Sequence, residues 1–276
     1  QFRPEVMKRL GLDYHTLAKI NPRLIYCSIT GYGQTGLYKD KAGHDINYLA
    51  LAGIVGHSGR QDSGPPPMGI QIADVAGGSL HALIGILSAV IERNQSGLGQ
   101  YIDISMTDCA AALNSMAAAA ELAGKEQQHP EQSYLNGGAL YDYYQTRDGR
   151  YLSVGSLEPQ FMQQLCAAIG RPELAARGLS QQPEVQQALK REIQLEFELR
   201  DFAEWREVFA ALDACVEPLL PLSEAVQHPQ IQARELVVDV PREGKTPQRQ
   251  IACPIKFSAG LPAPRHVGAP VGAHSV

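Results

Sequence analysis

Residues 74–105, DVAGGSLHALIGILSAVIERNQSGLGQYIDIS, decide the fold. Asp74 to Arg93 reads as a helix, Ser96-Gly97-Leu98-Gly99 as a turn, and Tyr101-Ile102-Asp103-Ile104-Ser105 alternates as a strand does. Upstream, Leu24 to Thr30 is a β-rich apolar run bounded by Gly31, and downstream the Ala-rich segment from Asp108 to Gly124 reads as a second helix. Strand, helix, strand, helix in this order predicts an α/β layer with parallel strands. The uncharged stretch from Val75 to Ile91 contains Gly77, Gly78, Gly85 and His81. It is too polar for a bilayer span and is expected to be a buried helix.

Working outward, residues 14–20 predict a short helix ended by Asn21-Pro22. Residues 44–54, HDINYLALAGI, place Ile46, Leu49, Ala50 and Ile54 close to helical spacing, and GHSGRQDSGPPPMG after them is a loop by composition. After residue 124 the polar KEQQHPEQS is a linker candidate. Two β-like runs, Tyr141–Tyr144 and Tyr151–Val154, then flank Asp148-Gly149, and three helical stretches follow. The clearest is 201–212, where Asp201 and Glu204 have capping-box spacing and Phe202, Trp205, Phe209 and Leu212 share a face. The Pro/Gly-rich tail from Leu261 to Val276 shows little periodicity.

With 276 residues, 44% hydrophobic and 19% charged, the composition is that of a soluble globular protein of one large domain or two modest ones. A net charge of −5 gives no electrostatic footprint for nucleic acid. The five cysteines, Cys27, Cys109, Cys166, Cys215 and Cys253, are widely spaced and form no C-x-x-C pair. They are expected to be small buried residues of a reducing compartment, without a metal site, and the chain is expected to be cytoplasmic and to have no membrane partner. The opening Gln1-Phe2-Arg3-Pro4 runs straight into a helix-like pattern, as a chain entered in mid-domain would.

Gly31-Tyr32-Gly33-Gln34-Thr35-Gly36 matches the dinucleotide pattern G-x-G-x-x-G, yet it leads into a polar loop rather than a helix. A glycine-bearing turn bordering a ligand crevice is the better reading. His44 and Asp45 begin the next helical segment, so His44 is either an acid/base group or a histidine packed at a helix start. Asp74 is either an N-cap or a carboxylate beside glycines that leave room for a ligand. Asp142 sits in a β-like run that disfavours aspartate, which a special role or an edge strand would explain. His57, His129 and His274 lie in polar or Gly/Pro segments and are expected to be solvated.

The ordered motifs FRPEVMKRLGLDY, NPRLIYCSITGYGQTG, AGHDINYLALAGI, IADVAGGS, GQYIDISMTD and DGRYLSVGSLEPQF resemble the family III CoA-transferases (CaiB/BaiF), and within them the α-methylacyl-CoA racemase branch. The resemblance implies a Rossmann-like large domain of residues 1–112 and 249–276, a linker at 113–140, a small α/β domain at 141–248, and an interlocked homodimer. It also implies that a strand-helix segment precedes the FRP motif in relatives and a helix follows GAHSV, so the chain is expected to be a fragment of poor solubility. In the transferases the aspartate at Asp74 is a nucleophile that becomes acylated, whereas in the racemases it moves the α-proton together with the histidine at His44. The histidine and the short Gly137-Gly138-Ala139 stretch favour the racemase.

The resemblance further implies that Asp142 hydrogen-bonds the histidine, that Asp45 and Tyr48 line the site, and that Phe2, Arg9 and Leu10 contact CoA, with Arg9 suited to its phosphates. The implied substrate is an acyl-CoA thioester of fatty acid metabolism, epimerised at its α-carbon without metal or redox cofactor. Two acid/base groups on opposite faces of the carbon would exchange roles with direction, and backbone N–H groups at a helix start would stabilise the enolate-like charge.

Overall fold

The computed structural model describes residues 2–269, 271–273 and 275. Two short helices, α1 (Val6–Arg9) and α2 (Tyr14–Ile20), lead into strand β1 (Tyr26–Thr30). Asp13 caps α2 by accepting the Thr16 N–H at 3.1 Å. After β1 come α3 (Asp45–Leu51), a π-helical segment (Ala73–Leu80), α4 (His81–Ser96), strand β2 (Tyr101–Ser105) and two helices, α5 (Met106–Leu113) and α6 (Ser115–Leu122). Strands β1 and β2 pair in parallel, Tyr26 opposite Tyr101 through Thr30 opposite Ser105. The crossover through the long helix is what parallel pairing requires, and it is the α/β unit the sequence predicts.

Three departures in this half have local causes. The helix expected from Asp74 begins as eight residues of π-helix before α4 takes over. The Ser79 hydroxyl donates to the Asp74 carbonyl and the His81 Nδ1–H to the Ala76 carbonyl, both five residues back, the reach of a widened turn. The Ala-rich helix is split at Asn114, whose Oδ1 lies 2.8 Å from Nε2 of the half-buried His57. That bond also removes His57 from the solvated histidines; His129 is exposed as expected, and His274 lies outside the described residues. Finally, the expected buried helix is exposed along one side. Ala82 and Ala89 of α4 are buried, while Leu83, Ile84, Leu87 and Ile91 face outward, because the two-stranded sheet covers only one face.

The second half carries the larger core. Strands β3 (Asp142–Gln145), β4 (Tyr151–Val154) and, later, β5 (Val216–Pro218) form an antiparallel sheet. Helices α7 (Pro159–Ala168), α8 (Pro183–Phe197) and α9 (Phe202–Phe209) supply the apolar faces packed with it. Phe197 and Trp205 meet at 5.1 Å between ring centroids, and the Trp205 indole N–H donates to the Phe197 carbonyl at 2.9 Å. The capping box of α9 is present, with the Asp201 N–H donating to Glu204 Oε2 at 2.8 Å. Leu212 lies past the end of α9 and is exposed.

Two short helices, α10 (Leu222–Ala225) and α11 (Pro229–Ala233), precede a hairpin, β6 (Val237–Arg242) and β7 (Lys245–Ile251), that the sequence reading lacks. The expected return to the large domain at residue 249 falls inside β7, where Arg249 pairs with Asp239. Helix α6 lies within the stretch expected as linker. Of the cysteines only Cys166 is buried; Cys27 and Cys109 are half-buried, and Cys215 and Cys253 are exposed, Cys215 standing between the core residues Ala214 and Val216.

A cluster of charges ties the two halves together. Arg60, in the loop after α3, grips the Asp142 carboxylate with two 2.6 Å hydrogen bonds and Glu131 with one of 2.9 Å. Lys190 of α8 adds a 2.7 Å ion pair to Asp142 and donates to the Gly137 carbonyl. Burial works to raise the Asp142 pKa, but the bonds from Arg60, Lys190 and the Tyr143 N–H outweigh it and hold the carboxyl below its usual value. Asp142 was expected to hydrogen-bond the histidine; within this chain its carboxylate is instead held by Arg60 and Lys190.

Replacing Asp142 with asparagine leaves two cations facing a neutral amide. The half-exposed Arg60 moderates the cost, which we expect to be about 2–3 kcal/mol at neutral pH by denaturant unfolding. A folded-state pKa below the unfolded one means this contribution is complete above about pH 3.9 and fades as the pH falls toward the folded value. The stability gap between wild type and Asp142→Asn should close across that acid window; a gap constant through it would contradict the assignment.

Candidate active site

Strand β1 delivers the chain into the glycine turn at its C-terminal end, where ligands of α/β sheets gather. The Gly31 carbonyl accepts both the Thr107 N–H at 3.0 Å and the Thr107 hydroxyl at 2.8 Å, fastening the turn to the start of α5. Gly31 has no space for a side chain: a Cβ there would overlap the Tyr48 ring. Gly33 has φ +82°, with Ser105 beneath it, and the next N–H, of Gln34, donates to Asp103 Oδ2 at 3.0 Å. These bonds make a rigid turn and no helix follows it, so the dinucleotide reading is set aside on geometry.

Beyond the turn, His44 stands at the N-cap of α3 in extended backbone, its N–H donating to Asn47 Oδ1 at 3.0 Å. The Tyr48 hydroxyl reaches back to the Gly43 carbonyl at 2.5 Å, and its ring meets Tyr32 edge-on at 5.1 Å. These contacts hold Gly43, the residue before His44. Asp45 Oδ1 accepts the Asp74 N–H at 3.0 Å, which joins the start of α3 to the start of the π-helix.

Glycines set the other wall. A Cβ on Gly77 would stand 3.2 Å from the Met106 carbonyl, and one on Gly78 would stand 3.1 Å from Met106 Cγ, so both residues let the π-helix lie against α5. Asp74 is thereby half-buried. Burial raises its carboxyl pKa and the Asp45 carboxylate raises it further, while the His44 ring pulls in the other direction.

His44 and Asp74 open on one cleft of about 880 Å³, together with Phe2, Gly31, Tyr48 and Met106. Asp45 stands behind Asp74, and Gly33 lies under the turn, outside the lining. Arg9 at the end of α1 and Leu10 after it are exposed and do not line the cleft, and Asp142 is held at the charge cluster. Sequence reasoning missed Arg3, Lys39, Lys41 and Asn47, all of which line the cleft. Only their nearness to the FRP and GHD motifs could have flagged them. Among the described residues, no group of three or more His, Cys, Asp or Glu could hold a metal ion.

A half-buried carboxyl with raised pKa and an imidazole on one cleft can hold and move protons, and an aspartate so placed can also attack a carbonyl. Comparison with known proteins finds both racemases and CoA-transferases among the relatives. The chain is 40% identical to the alpha-methylacyl-CoA racemase of Mus musculus over 82% of its own length and 60% of the relative's. The human enzyme is 38% identical, with 82% and 59% covered. An acetyl-CoA:oxalate CoA-transferase of Acetobacter aceti is 35% identical, with 86% and 62% covered. The chain thus spans about 60% of the length of the curated racemases it matches.

Among solved structures, a CaiB/BaiF family protein from Brucella suis superposes with a TM-score of 0.77 at 29% identity, covering 94% of this chain and 68% of that one. Rv3272 of Mycobacterium tuberculosis gives 0.75 at 26% identity, with 93% and 69% covered. The model of CoA-transferase family III matches residues 1–275, and the chain belongs to that family.

Proposed function

We propose that the protein is an acyl-CoA racemase that inverts the α-carbon of 2-methylacyl-CoA thioesters by two-base proton transfer. The observation that carries this reading is the shared cleft of His44 and Asp74, with the Asp74 carboxyl raised by burial and by Asp45. Identity to the racemases supports it. In one direction a ring nitrogen of His44 takes the α-proton, the electron pair moves into the thioester as an enolate, and the Asp74 carboxyl delivers its proton to the opposite face. His44 ends protonated and Asp74 ionised, and the other epimer reacts by the reverse sequence. A raised Asp74 pKa keeps the proton-bearing form available nearer neutrality. Only protons move, so the reaction calls for no metal or redox cofactor.

Phe2 and Arg3 at the edge of the cleft are assigned to the CoA portion. A homodimer is part of the proposal, and the exposed apolar side chains of α4 are surface that an assembly would cover. A second reading, CoA transfer through an acyl-aspartate at Asp74, is favoured by the identity to the oxalate transferase. It predicts a mass adduct on the Asp74 peptide and turnover that survives His44→Ala.

The test is deuterium uptake at the α-carbon of 2-methyldecanoyl-CoA in D2O with no acceptor acid present. The wild type should take up deuterium with inversion of configuration, and inversion should fall by about 100-fold or more in both His44→Ala and Asp74→Asn, the scale of a lost general acid or base. No uptake by a folded, CoA-binding protein would move the assignment to acyl transfer.

Asp45→Asn supplies an independent check. The amide keeps an oxygen to accept the Asp74 N–H but removes the charge that raises the Asp74 pKa. The pH limb governed by Asp74 should therefore move to lower pH, in exchange rates measured from a single epimer. A limb that stays in place or moves upward would show that Asp45 does not tune Asp74.

A further inference from the structure

The proposed reaction gathers negative charge on one atom, the thioester oxygen, as the α-proton leaves. His44 and Asp74 address the two faces of the α-carbon, so the oxygen lies in the plane between them and needs a donor of its own. Among the neutral side-chain donors of the cleft, the Tyr48 hydroxyl is committed to the Gly43 carbonyl and the Ser79 hydroxyl to the Asp74 carbonyl. The Thr30 hydroxyl has no partner but is closed to a ligand by burial.

Asn47 is placed differently. Its Oδ1 accepts the His44 N–H at 3.0 Å, and its own backbone N–H donates to the His44 carbonyl at 2.8 Å. Only the oxygen of a carboxamide can accept an N–H, so the first bond fixes which way the amide points. The nitrogen, Nδ2, keeps both its N–H groups without an acceptor among the described residues, on an exposed side chain that lines the cleft. The oxygen and nitrogen of a carboxamide are about 2.3 Å apart, which puts Nδ2 within about 5 Å of the His44 backbone nitrogen. A thioester oxygen is only about 2.4 Å from the α-carbon that His44 must reach. We propose that Asn47 is a further catalytic residue, whose Nδ2–H donates a hydrogen bond to the thioester oxygen in the substrate and a stronger one in the enolate. The bond to His44 preorganises this donor, because donor and base share one anchor. A neutral amide suits the place, since its bond strengthens as charge develops on the oxygen. This inference rests on the CoA-thioester reading of the cleft.

The experiment compares 2-methyldecanoyl-CoA with its thioether, in which a CH2 replaces the thioester carbonyl while the phosphates and pantetheine carbonyls are kept. Calorimetric dissociation constants give the ratio of thioester to thioether affinity in the wild type, Asn47→Ala, Asn47→Asp and Tyr32→Phe. Asn47→Asp retains an oxygen to accept the His44 N–H but loses the amide donors. In both Asn47 variants the ratio should fall by about fivefold or more, the scale of one neutral hydrogen bond, with thioether affinity unchanged. In α-proton exchange their kcat should fall by about 100-fold, the scale of one oxyanion donor, while KM rises no more than thioester affinity falls.

A loss shared equally by thioester and thioether, or one found in Asn47→Ala and absent from Asn47→Asp, makes Asn47 a cap of α3 and overturns the inference. A ratio moved by Tyr32→Phe but not by the Asn47 variants also overturns it, and assigns the donor to the Tyr32 hydroxyl. If the wild type exchanges no thioester, the affinity ratio alone decides. A fall in both Asn47 variants then keeps the inference while the reaction reading fails, and an unmoved ratio removes the inference too.

Discussion

The hydrogen bond from the Asp74 N–H to Asp45 Oδ1 is the constraint on which the candidate site depends. It joins two segments that are 29 residues apart in sequence and belong to different helices. It adds a directional tie to the packing of Tyr48 and Leu49 of α3 with Ala73 of the π-helix, and so sets His44 and Asp74 relative to each other. The same contact also sets chemistry, because a carboxylate that accepts this N–H stands close enough to Asp74 to oppose its ionisation. One interaction thus provides both the placement of the pair and part of the raised proton affinity of one member.

Small residues make that contact reachable. Gly31 yields its Cβ space to the Tyr48 ring, and Gly77 and Gly78 yield theirs to Met106, so the strand end, α3, the π-helix and α5 converge with little between them. The core here is modest, built on Tyr48, Leu49, Ala73 and Ala110, and polar bonds such as those of Thr107 to Gly31 carry much of the local definition. The other half relies on a larger aromatic and aliphatic core, and the Arg60–Asp142–Lys190 cluster connects it to the loop after α3. The segment entering His44 is therefore held by edge-on tyrosine rings, and the helix leaving it is followed by a clamped loop.

Where side-chain patterning is strictly local, the sequence was legible. The alternating Tyr101–Ser105 became a strand on its expected bounds, and the Asp201–Glu204 spacing became a capped helix that starts where expected and ends three residues early, at Phe209. What failed depended on partners distant in sequence. Asn114 breaks the Ala-rich helix beside His57, and the π-helix widens around Asp74 where glycines press on α5; neither effect has a periodicity to read. The hairpin at 237–251 escaped notice because β7, Lys-Thr-Pro-Gln-Arg-Gln-Ile, is polar and exposed almost throughout and so lacks the apolar alternation of a half-buried strand. In the site, His44, Asp45, Tyr48 and Asp74 were legible through motif resemblance, and the structure brings them together. The partners of Asp142 within this chain were not legible, because an acidic residue in a strand looks the same in sequence whether it orients a histidine or is gripped by an arginine and a lysine.

The central claim is that His44 and Asp74 serve opposite faces of one carbon. Single-epimer exchange tests it most directly: the (2R) and (2S) thioesters are incubated separately in D2O with His44→Ala and with Asp74→Asn. Two-base chemistry predicts a crossed pattern, in which each variant retains exchange with one epimer, a different one in each case, while losing it with the other. Equal loss of both epimers in one variant and equal retention of both in the other would contradict the claim, and would leave a single group carrying the proton.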